Sequence, residues 1–211
     1  MTRFYIVRHG ETHANREGRA AGHYDTKLTD LGIEQARLTG EALSSVRFDK
    51  AYSSDLSRAY ETAQLVLDGR LEVEQRTELR EMNVGVWENQ SVDELDEKYP
   101  EDRAVWHNAF GICRPTGGES GPEVSARIVG AIRALAKENE GKTVLVVTHG
   151  GAMHFLINYA RGVALEDIKK EGMPGNASIT VIDVEGEEFK LVCFGEDAHL
   201  GRLATKLPKN I

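Results

Sequence analysis

The chain has 211 residues, of which 40% are hydrophobic and 28% charged, a composition typical of a single soluble globular domain. It carries 34 acidic residues against 26 Lys and Arg, and the resulting charge of −8 argues against broad binding to nucleic acid, which needs clustered cations. Since no apolar run approaches about 18 residues, neither a membrane span nor a signal peptide is predicted. Its two cysteines, Cys113 and Cys193, have no partners at zinc-ligand spacing, which predicts free thiols in a reducing, cytoplasmic compartment.

In the first part of the chain, strand-like and helix-like patterns alternate. A short apolar run at 4–7 predicts a buried strand, and a second short strand is predicted at 50–52. Apolar residues recur at spacings of three and four over 30–45 and 55–67, which predicts two helices.

The second half continues the alternation. A helix is predicted over 119–138, a buried strand over 143–147, and a further helix from the following glycines to about residue 160. The runs 178–184 and 188–194 flank a short polar turn, as in a β-hairpin. This pattern predicts an α/β domain with a largely parallel sheet.

The segment 83–122 differs from the rest of the chain. It contains both tryptophans and three of the five prolines. We interpret it as a lid or insertion that carries substrate contacts, within a single domain spanning 1–211.

Two histidines follow predicted strands in the same way, each next to a glycine. His9 lies between Arg8 and Gly10, and His149 precedes Gly150 and Gly151. Ligands of open α/β sheets bind outside the carboxyl ends of the strands, so the two histidines are predicted to share one site. A neutral imidazole is a competent nucleophile near pH 7 and can accept a phosphoryl group.

Phosphoryl transfer also needs cations around the phosphate and a proton for the leaving group. Arg8 adjoins His9, and Arg58 falls in the first turn of a predicted helix, where anions are favoured. We expect His149 to donate to a phosphate oxygen as an imidazolium. Glu81 is the candidate general acid, with a pKa that desolvation would raise.

With these residues the sequence resembles the histidine phosphatase superfamily, in the phosphoglycerate-mutase-like branch that includes broad-specificity and alpha-ribazole phosphatases. The resemblance extends over residues 3–182 and rests on motifs in the family's order. These motifs are residues 8–12 with Asn15, then 28–36, 52–63, 79–88, 117–120 and 148–151.

The resemblance implies a three-layer α/β/α sandwich in which His9 becomes phosphorylated and Glu81 acts first as acid and then as base. No metal and no cofactor is implied, because cationic side chains take the place of Mg²⁺. The residues implied to bind the phosphoryl group are Arg8, Arg58 and His149, and those assigned to substrate binding are Asn15, Gly150 and Thr12.

Three functions remain open on the sequence. The leading one is a phosphatase acting on small-molecule phosphate monoesters, and the alternative is a cofactor (2,3-bisphosphoglycerate)-dependent phosphoglycerate mutase. Mutases of this branch usually carry paired arginines in a longer insertion, whereas Arg103 and Arg114 stand alone here, which favours the phosphatase. The third is a binding module or protein-directed phosphatase, which the intact motif residues disfavour. Sugar phosphates, phosphoglycerates, a nucleotide-loop precursor phosphate and phosphoserine are all candidate substrates, and the sequence does not reveal the oligomeric state.

Overall fold

A computed structural model describes residues 1–169 and 172–205, so residues 170–171 and 206–211 of the predicted domain lie outside the described part. Six strands form one sheet in the order β3-β2-β4-β1-β5-β6. They are β1 (Thr2–Arg8), β2 (Lys50–Ser53), β3 (Val73–Gln75), β4 (Thr143–Thr148), β5 (Ile179–Glu185) and β6 (Glu188–Glu196). Strands β1 to β4 are mutually parallel, whereas β5 and β6 form an antiparallel hairpin at one side.

The described α-helices flank this sheet or lie in the 83–122 segment. They are α1 (His13–Arg16), α2 (Asp30–Ala42), α3 (Ser57–Leu67), α4 (Val92–Lys98), α5 (Pro100–Asn108), α6 (Gly121–Glu138) and α7 (Gly150–Ala160). Short 3-10 turns occupy Thr77–Leu79, Gly85–Trp87, Phe110–Ile112, Leu165–Asp167 and Ala198–Leu203. Within residues 1–169 and 172–205, no helix is long and apolar enough to cross a membrane.

Two hydrophobic cores lie on opposite faces of the sheet. Successive strand residues point to opposite sides, so Phe4 and Ile6 of β1 join one core whereas Val7 joins the other. The first core receives α6 and α7, and the second receives α3. The fold is therefore the predicted three-layer α/β/α sandwich with a mostly parallel sheet.

Helix α6 shows how local sequence sets an element. The Ser120 hydroxyl accepts from the Glu123 N–H while the Glu123 side chain accepts from the Ser120 N–H, which satisfies two donors at the helix start. The apolar residues of α6 that face the core are spaced by three and four, and they include Val124, Ile128 and Ile132. The predicted helix over 119–138 is confirmed to within two residues.

The sequence did not predict strand β3 or the helices α1, α4 and α5. Strand β3 has three residues at the sheet edge, with Glu74 and Gln75 exposed, so it lacks the apolar run that marks a buried strand. Helices α4 and α5 are short and mostly polar, and their few apolar residues, Leu95 and Trp106 among them, pack into the first core. The 83–122 segment therefore packs tightly against the body of the domain.

Candidate active site

The two histidines singled out in the sequence lie side by side. Strands β1 and β4 pair in parallel with Arg8 opposite Thr148, so the next residue of each strand leaves the sheet at the same edge. The His9 N–H donates to the Thr148 carbonyl at 3.0 Å, and the ring centroids of His9 and His149 are 5.1 Å apart. Parallel pairing therefore brings these residues together across 140 positions of sequence.

His9 is held with one ring nitrogen available. Its Nδ1 lies 2.8 Å from the Gly10 carbonyl oxygen, which can only accept, so this hydrogen bond places the ring proton on Nδ1 and leaves a lone pair on Nε2. Burial lowers the pKa of His9 well below the usual 6.5, and the charges of Arg58 and Arg8 lower it further. The ring is thus neutral at physiological pH, as a nucleophile must be.

Gly10 is required by a close approach of two backbones. A Cβ on Gly10 would lie 2.3 Å from the carbonyl oxygen of Gly32 in the first turn of α2. The Gly10 N–H donates to the Thr62 hydroxyl of α3 at 3.1 Å. The loop after β1 is therefore fixed against two helices.

Two arginines are buried beside His9. Arg8 is 6% exposed and donates to the Pro174 carbonyl at 2.7 Å. Arg58 is 1% exposed and donates to the carbonyls of Gly22 at 2.7 Å and Tyr24 at 3.0 Å. In the described part of the chain, the Nε of each arginine has no hydrogen-bond partner. Both guanidinium groups are thus fixed by carbonyls while a donor on each remains unused.

Burial makes these two charges costly. It lowers the pKa of Arg8 to about 10, with the charge of Glu81 opposing and that of Arg58 reinforcing the shift. Burial also lowers the pKa of Arg58, again against the charge of Glu81. An anion between the two guanidinium groups would relieve this cost, because opposite charges attract strongly where water is excluded.

His149 is completely buried as the N-cap residue of α7. Neither of its ring nitrogens has a hydrogen-bond partner within residues 1–169 and 172–205. Burial lowers its pKa well below 6.5, with further lowering by the charges of Arg58 and Arg8. In the absence of a bound anion, desolvation and the neighbouring cations therefore favour the neutral imidazole over the expected imidazolium, which stays a prediction for the phosphate complex. The neutral ring still has one N–H to donate.

The free energy of unfolding should fall as the pH is lowered from about 7 to 5. The pKa values of His9 and His149 lie well below 6.5 in the folded protein, so in this range the unfolded chain binds protons that the folded protein does not. Urea unfolding at both pH values measures the slope, which is the change in the free energy of unfolding with pH. His149→Gln should flatten it, because glutamine does not titrate, whereas a His13→Gln control changes only an exposed side chain. Equal slopes in wild type and His149→Gln would contradict the lowered pKa of His149.

Glu81 sits on the N-terminus of α7. Its carboxylate accepts from the backbone N–H groups of Gly151 at 3.0 Å, Ala152 at 2.9 Å and Met82 at 2.9 Å. A Cβ on Gly151 would lie 2.7 Å from the Glu81 Oε1, so any larger residue at this position would displace the carboxylate. A Cβ on Gly150 would likewise meet the guanidinium of Arg8 at 3.1 Å. The two glycines let a carboxylate and an arginine approach the same helix end.

Asn15 is oriented by its neighbours. Its Oδ1 accepts from the Thr12 N–H at 3.2 Å and from the Asn176 Nδ2 at 3.1 Å, so its own Nδ2 donor points away from both. Thr12 is buried, and its hydroxyl caps α1 by accepting from the Asn15 N–H. Asn176, which the sequence gave no reason to select, also donates to the His9 carbonyl at 3.1 Å. Asn176 therefore connects the loop after β1 with α1.

A cavity of about 740 Å³ opens at this edge of the sheet. Most of the residues predicted for the site line it, together with Asn176; they are Arg8, His9, Asn15, Arg58, Glu81 and Gly150. Thr12 and His149 are not among the lining residues: Thr12 caps a helix, and His149 packs against the ring of His9. Among the described residues, no group of three His, Cys, Asp or Glu side chains is arranged to hold a metal ion.

The sequence identifies the protein family of this chain. A sequence model of the histidine phosphatase superfamily (branch 1) matches residues 4–197. The chain belongs to this family. A phosphohistidine intermediate is general to histidine phosphatases.

Several named proteins are similar to the chain. Phosphoserine phosphatase 1 of Hydrogenobacter thermophilus is 33% identical over 212 residues, covering 100% of both chains. The adenosylcobalamin/alpha-ribazole phosphatase of Escherichia coli is 38% identical over 78% of this chain and 81% of the relative. Phosphoglycerate mutase-like protein 4 of Arabidopsis thaliana is 34% identical over 92% and 85%, respectively. Among solved structures, Bacillus stearothermophilus YhfR superposes with a TM-score of 0.91 at 32% identity, covering 95% of this chain and 100% of that one.

Proposed function

We propose that this protein is a metal-independent phosphatase that hydrolyses small-molecule phosphate monoesters through a phosphohistidine on His9. One observation carries the proposal: the Nδ1 proton of His9 is engaged by Gly10, so the unprotonated Nε2 is free beside two buried guanidinium groups. Membership of the histidine phosphatase superfamily and the phosphatases among the relatives support the same reaction.

In the first half-reaction, the lone pair on Nε2 of His9 attacks phosphorus and the bond from phosphorus to the ester oxygen breaks. Negative charge spreads over the equatorial oxygens, where Arg8 and Arg58 lie ready to bind it. Glu81, as the acid, gives its proton to the departing alkoxide. The alcohol leaves, and the phosphoryl group stays on His9.

In the second half-reaction, the Glu81 carboxylate takes a proton from water while the water oxygen attacks phosphorus. The bond from phosphorus to Nε2 breaks, inorganic phosphate leaves, and His9 returns to its neutral form with Glu81 protonated again. The N–H groups of Gly151 and Ala152 hold the Glu81 carboxyl group in place for both steps.

Fixed donors account for the rest of the proposed site. The Nδ2 of Asn15 and one ring N–H of His149 would donate to phosphate oxygens, and Gly150 leaves room for Arg8. Since these groups are positioned before substrate binds, little reorganisation is needed during the reaction.

The arrangement of charge disfavours the mutase. A mutase must hold a second phosphate or carboxylate group with cations of its own. The cations that line the cavity away from His9 are each paired with carboxylates: Arg16 with Glu11, Arg19 with Glu17 and Glu94, and Arg103 with Asp96. These arginines therefore have little unpaired positive charge to offer a second anionic group.

The first experiment compares hydrolysis with isomerisation in EDTA. The protein is given p-nitrophenyl phosphate, or 3-phosphoglycerate with a trace of 2,3-bisphosphoglycerate, and free phosphate and 2-phosphoglycerate are followed together. We expect phosphate release without isomerisation, and its loss in His9→Ala. Rapid isomerisation with little free phosphate would make the protein a mutase, and activity that EDTA abolishes would contradict metal independence.

Asn176→Asp should lower kcat/KM at least about tenfold, although less than the loss of a direct phosphate donor. The carboxylate would face the His9 carbonyl and the Asn15 Oδ1, two acceptors that Asn176 now satisfies, so Asn15 would turn its amide. Steady-state kinetics on p-nitrophenyl phosphate measure the loss, with Asn108→Asp on the exposed face of α5 as the matched control. Unchanged kinetics in Asn176→Asp would show that Asn15 does not need this contact.

We further propose that residues 1–211 act as one cytoplasmic domain in which 83–122 supplies substrate contacts. The acidic net charge of −8 supports small molecules over nucleic acids as partners.

A further inference from the structure

The cavity has a second part that the phosphoryl-transfer groups do not use. Away from His9, its wall combines three arginines that are each paired with carboxylates and a group of apolar side chains that come mainly from the 83–122 segment. The apolar residues are Met82, Val84, Trp87, Leu95, Trp106 and Phe110. We call this set the aromatic wall.

The aromatic wall is built into the core. Trp106 packs edge-on against Trp87 at 5.2 Å between ring centroids and against Phe110 at 4.8 Å. Phe110 in turn stacks on Phe155 of α7 at 5.3 Å. All four rings belong to the first hydrophobic core, so the wall has its shape before any substrate binds.

The charge near this wall is already balanced. The Arg103 Nε donates to the Asp96 carboxylate at 2.7 Å, and its guanidinium lies over the Trp87 ring at 5.6 Å. Arg103 is 4% exposed, so it is held within the packing of the wall. This part of the cavity therefore presents an apolar lining to the organic group of a substrate, and Trp106 and Val84 are the most exposed of the wall residues, at 9% and 6%.

A small, polar phosphate ester fits this surface poorly. A cavity of about 740 Å³ is of the size that encloses a drug-sized ligand, whereas a phosphate with a three-carbon chain fills only part of it. The charged amino and carboxylate groups of phosphoserine, or the carboxylate of phosphoglycerate, would lose water against the wall without gaining partners there.

We propose that the substrate is a phosphate monoester of a bulky, mainly apolar alcohol, whose organic group packs on the aromatic wall while its phosphate lies at His9. This inference rests on the proposed phosphatase function and specifies the substrate class of the same site. Hydrolysis breaks the bond between phosphorus and the ester oxygen, and it releases that alcohol and inorganic phosphate.

The test uses esters of primary alcohols, so that leaving-group basicity changes little across the series. We would measure kcat/KM for 2-phenylethyl phosphate, ethyl phosphate and phosphoserine, with p-nitrophenyl phosphate as a reference ester. The phenylethyl ester should exceed both ethyl phosphate and phosphoserine by about tenfold or more. Equal or better turnover of phosphoserine or ethyl phosphate would overturn the proposal.

Two variants locate the effect. Trp106→Leu and, with a smaller packing change, Val84→Ala should each lower the ratio of phenylethyl to ethyl turnover, by about two- to tenfold for Trp106→Leu. Val105→Ala is the matched control, because Val105 lies next to Trp106 on α5 but is 46% exposed. Thermal unfolding checks that each variant is folded, and an unchanged ratio in both folded variants would contradict the proposed binding surface.

The same data separate the two proposals. If p-nitrophenyl phosphate is hydrolysed in a His9-dependent way but the phenylethyl ester has no advantage, the phosphatase function stands and the substrate class is wrong. If none of the esters is hydrolysed, the proposed function itself fails.

Discussion

His9→Ala should lower kcat by roughly 10⁵-fold or more, because removal of a nucleophile leaves only binding and charge stabilisation. The substitution removes the Nε2 that is proposed to attack phosphorus, while Arg8 and Arg58 stay in place. Turnover of p-nitrophenyl phosphate gives the rate. Quenching in alkaline detergent, in which a phosphohistidine is stable, after a brief reaction with a ³²P-labelled ester should give protein-bound label in wild type and none in the variant.

His13→Ala is the matched control for His9→Ala. His13 lies four residues further along the chain, on α1, and its side chain is exposed. We expect this variant to keep both its turnover and its label. If His9→Ala retains the label, the phosphoryl group must be carried by another residue.

Arg58→Met should lower kcat by about 10²–10³-fold, the usual cost of removing one fixed donor to transition-state charge. Methionine approaches the length of the arginine stem, so the helix keeps most of its packing while the buried charge disappears. The variant should also lose most of the rise in melting temperature that inorganic phosphate gives the wild-type protein, since an anion stabilises the state that binds it. The kcat of Arg58→Lys should lie between those of wild type and Arg58→Met, because lysine keeps the charge but not the planar fork that reaches Gly22 and Tyr24.

Arg47→Met is the control for Arg58→Met, since Arg47 is exposed and does not line the cavity. We expect normal turnover and a normal response to phosphate. A full phosphate response in Arg58→Met would mean that Arg58 serves the fold alone.

The burial of Arg8 and Arg58 connects fold and chemistry. Desolvation lowers the pKa of both groups, which shows that their positive charge is held at a cost. Carbonyl oxygens from segments far along the chain, such as that of Pro174, offset part of this cost. The proposed anion would offset the rest, which is the physical basis for expecting tight binding of a phosphate at this point.

Local sequence determined the fold class and the placement of the two histidines. Apolar periodicity identified β1, β4, α3 and α6, because each element buries one face or both. Once β1 and β4 are parallel neighbours, His9 and His149 must meet, since the carboxyl ends of parallel strands lie at one edge. The sequence also identified Arg58 as a candidate anion-binding residue, because it lies in the first turn of the predicted helix that corresponds to α3. Their roles in the reaction remain predictions.

Only the tertiary structure decided how these groups are held and charged. The contact between Asn176 and His9 joins residues 167 positions apart, and the contact between Glu81 and Gly151 joins residues 70 apart, so no local pattern announces either. The lowered pKa of His149 depends on complete burial and on the charges of Arg58 and Arg8, none of which a residue type specifies. The aromatic wall likewise arises where 83–122 packs against the core. Local sequence determined the strands and helices at whose ends most of the site residues lie, because strand and helix patterns are local, whereas protonation, orientation and cavity shape follow from every segment that packs around the site.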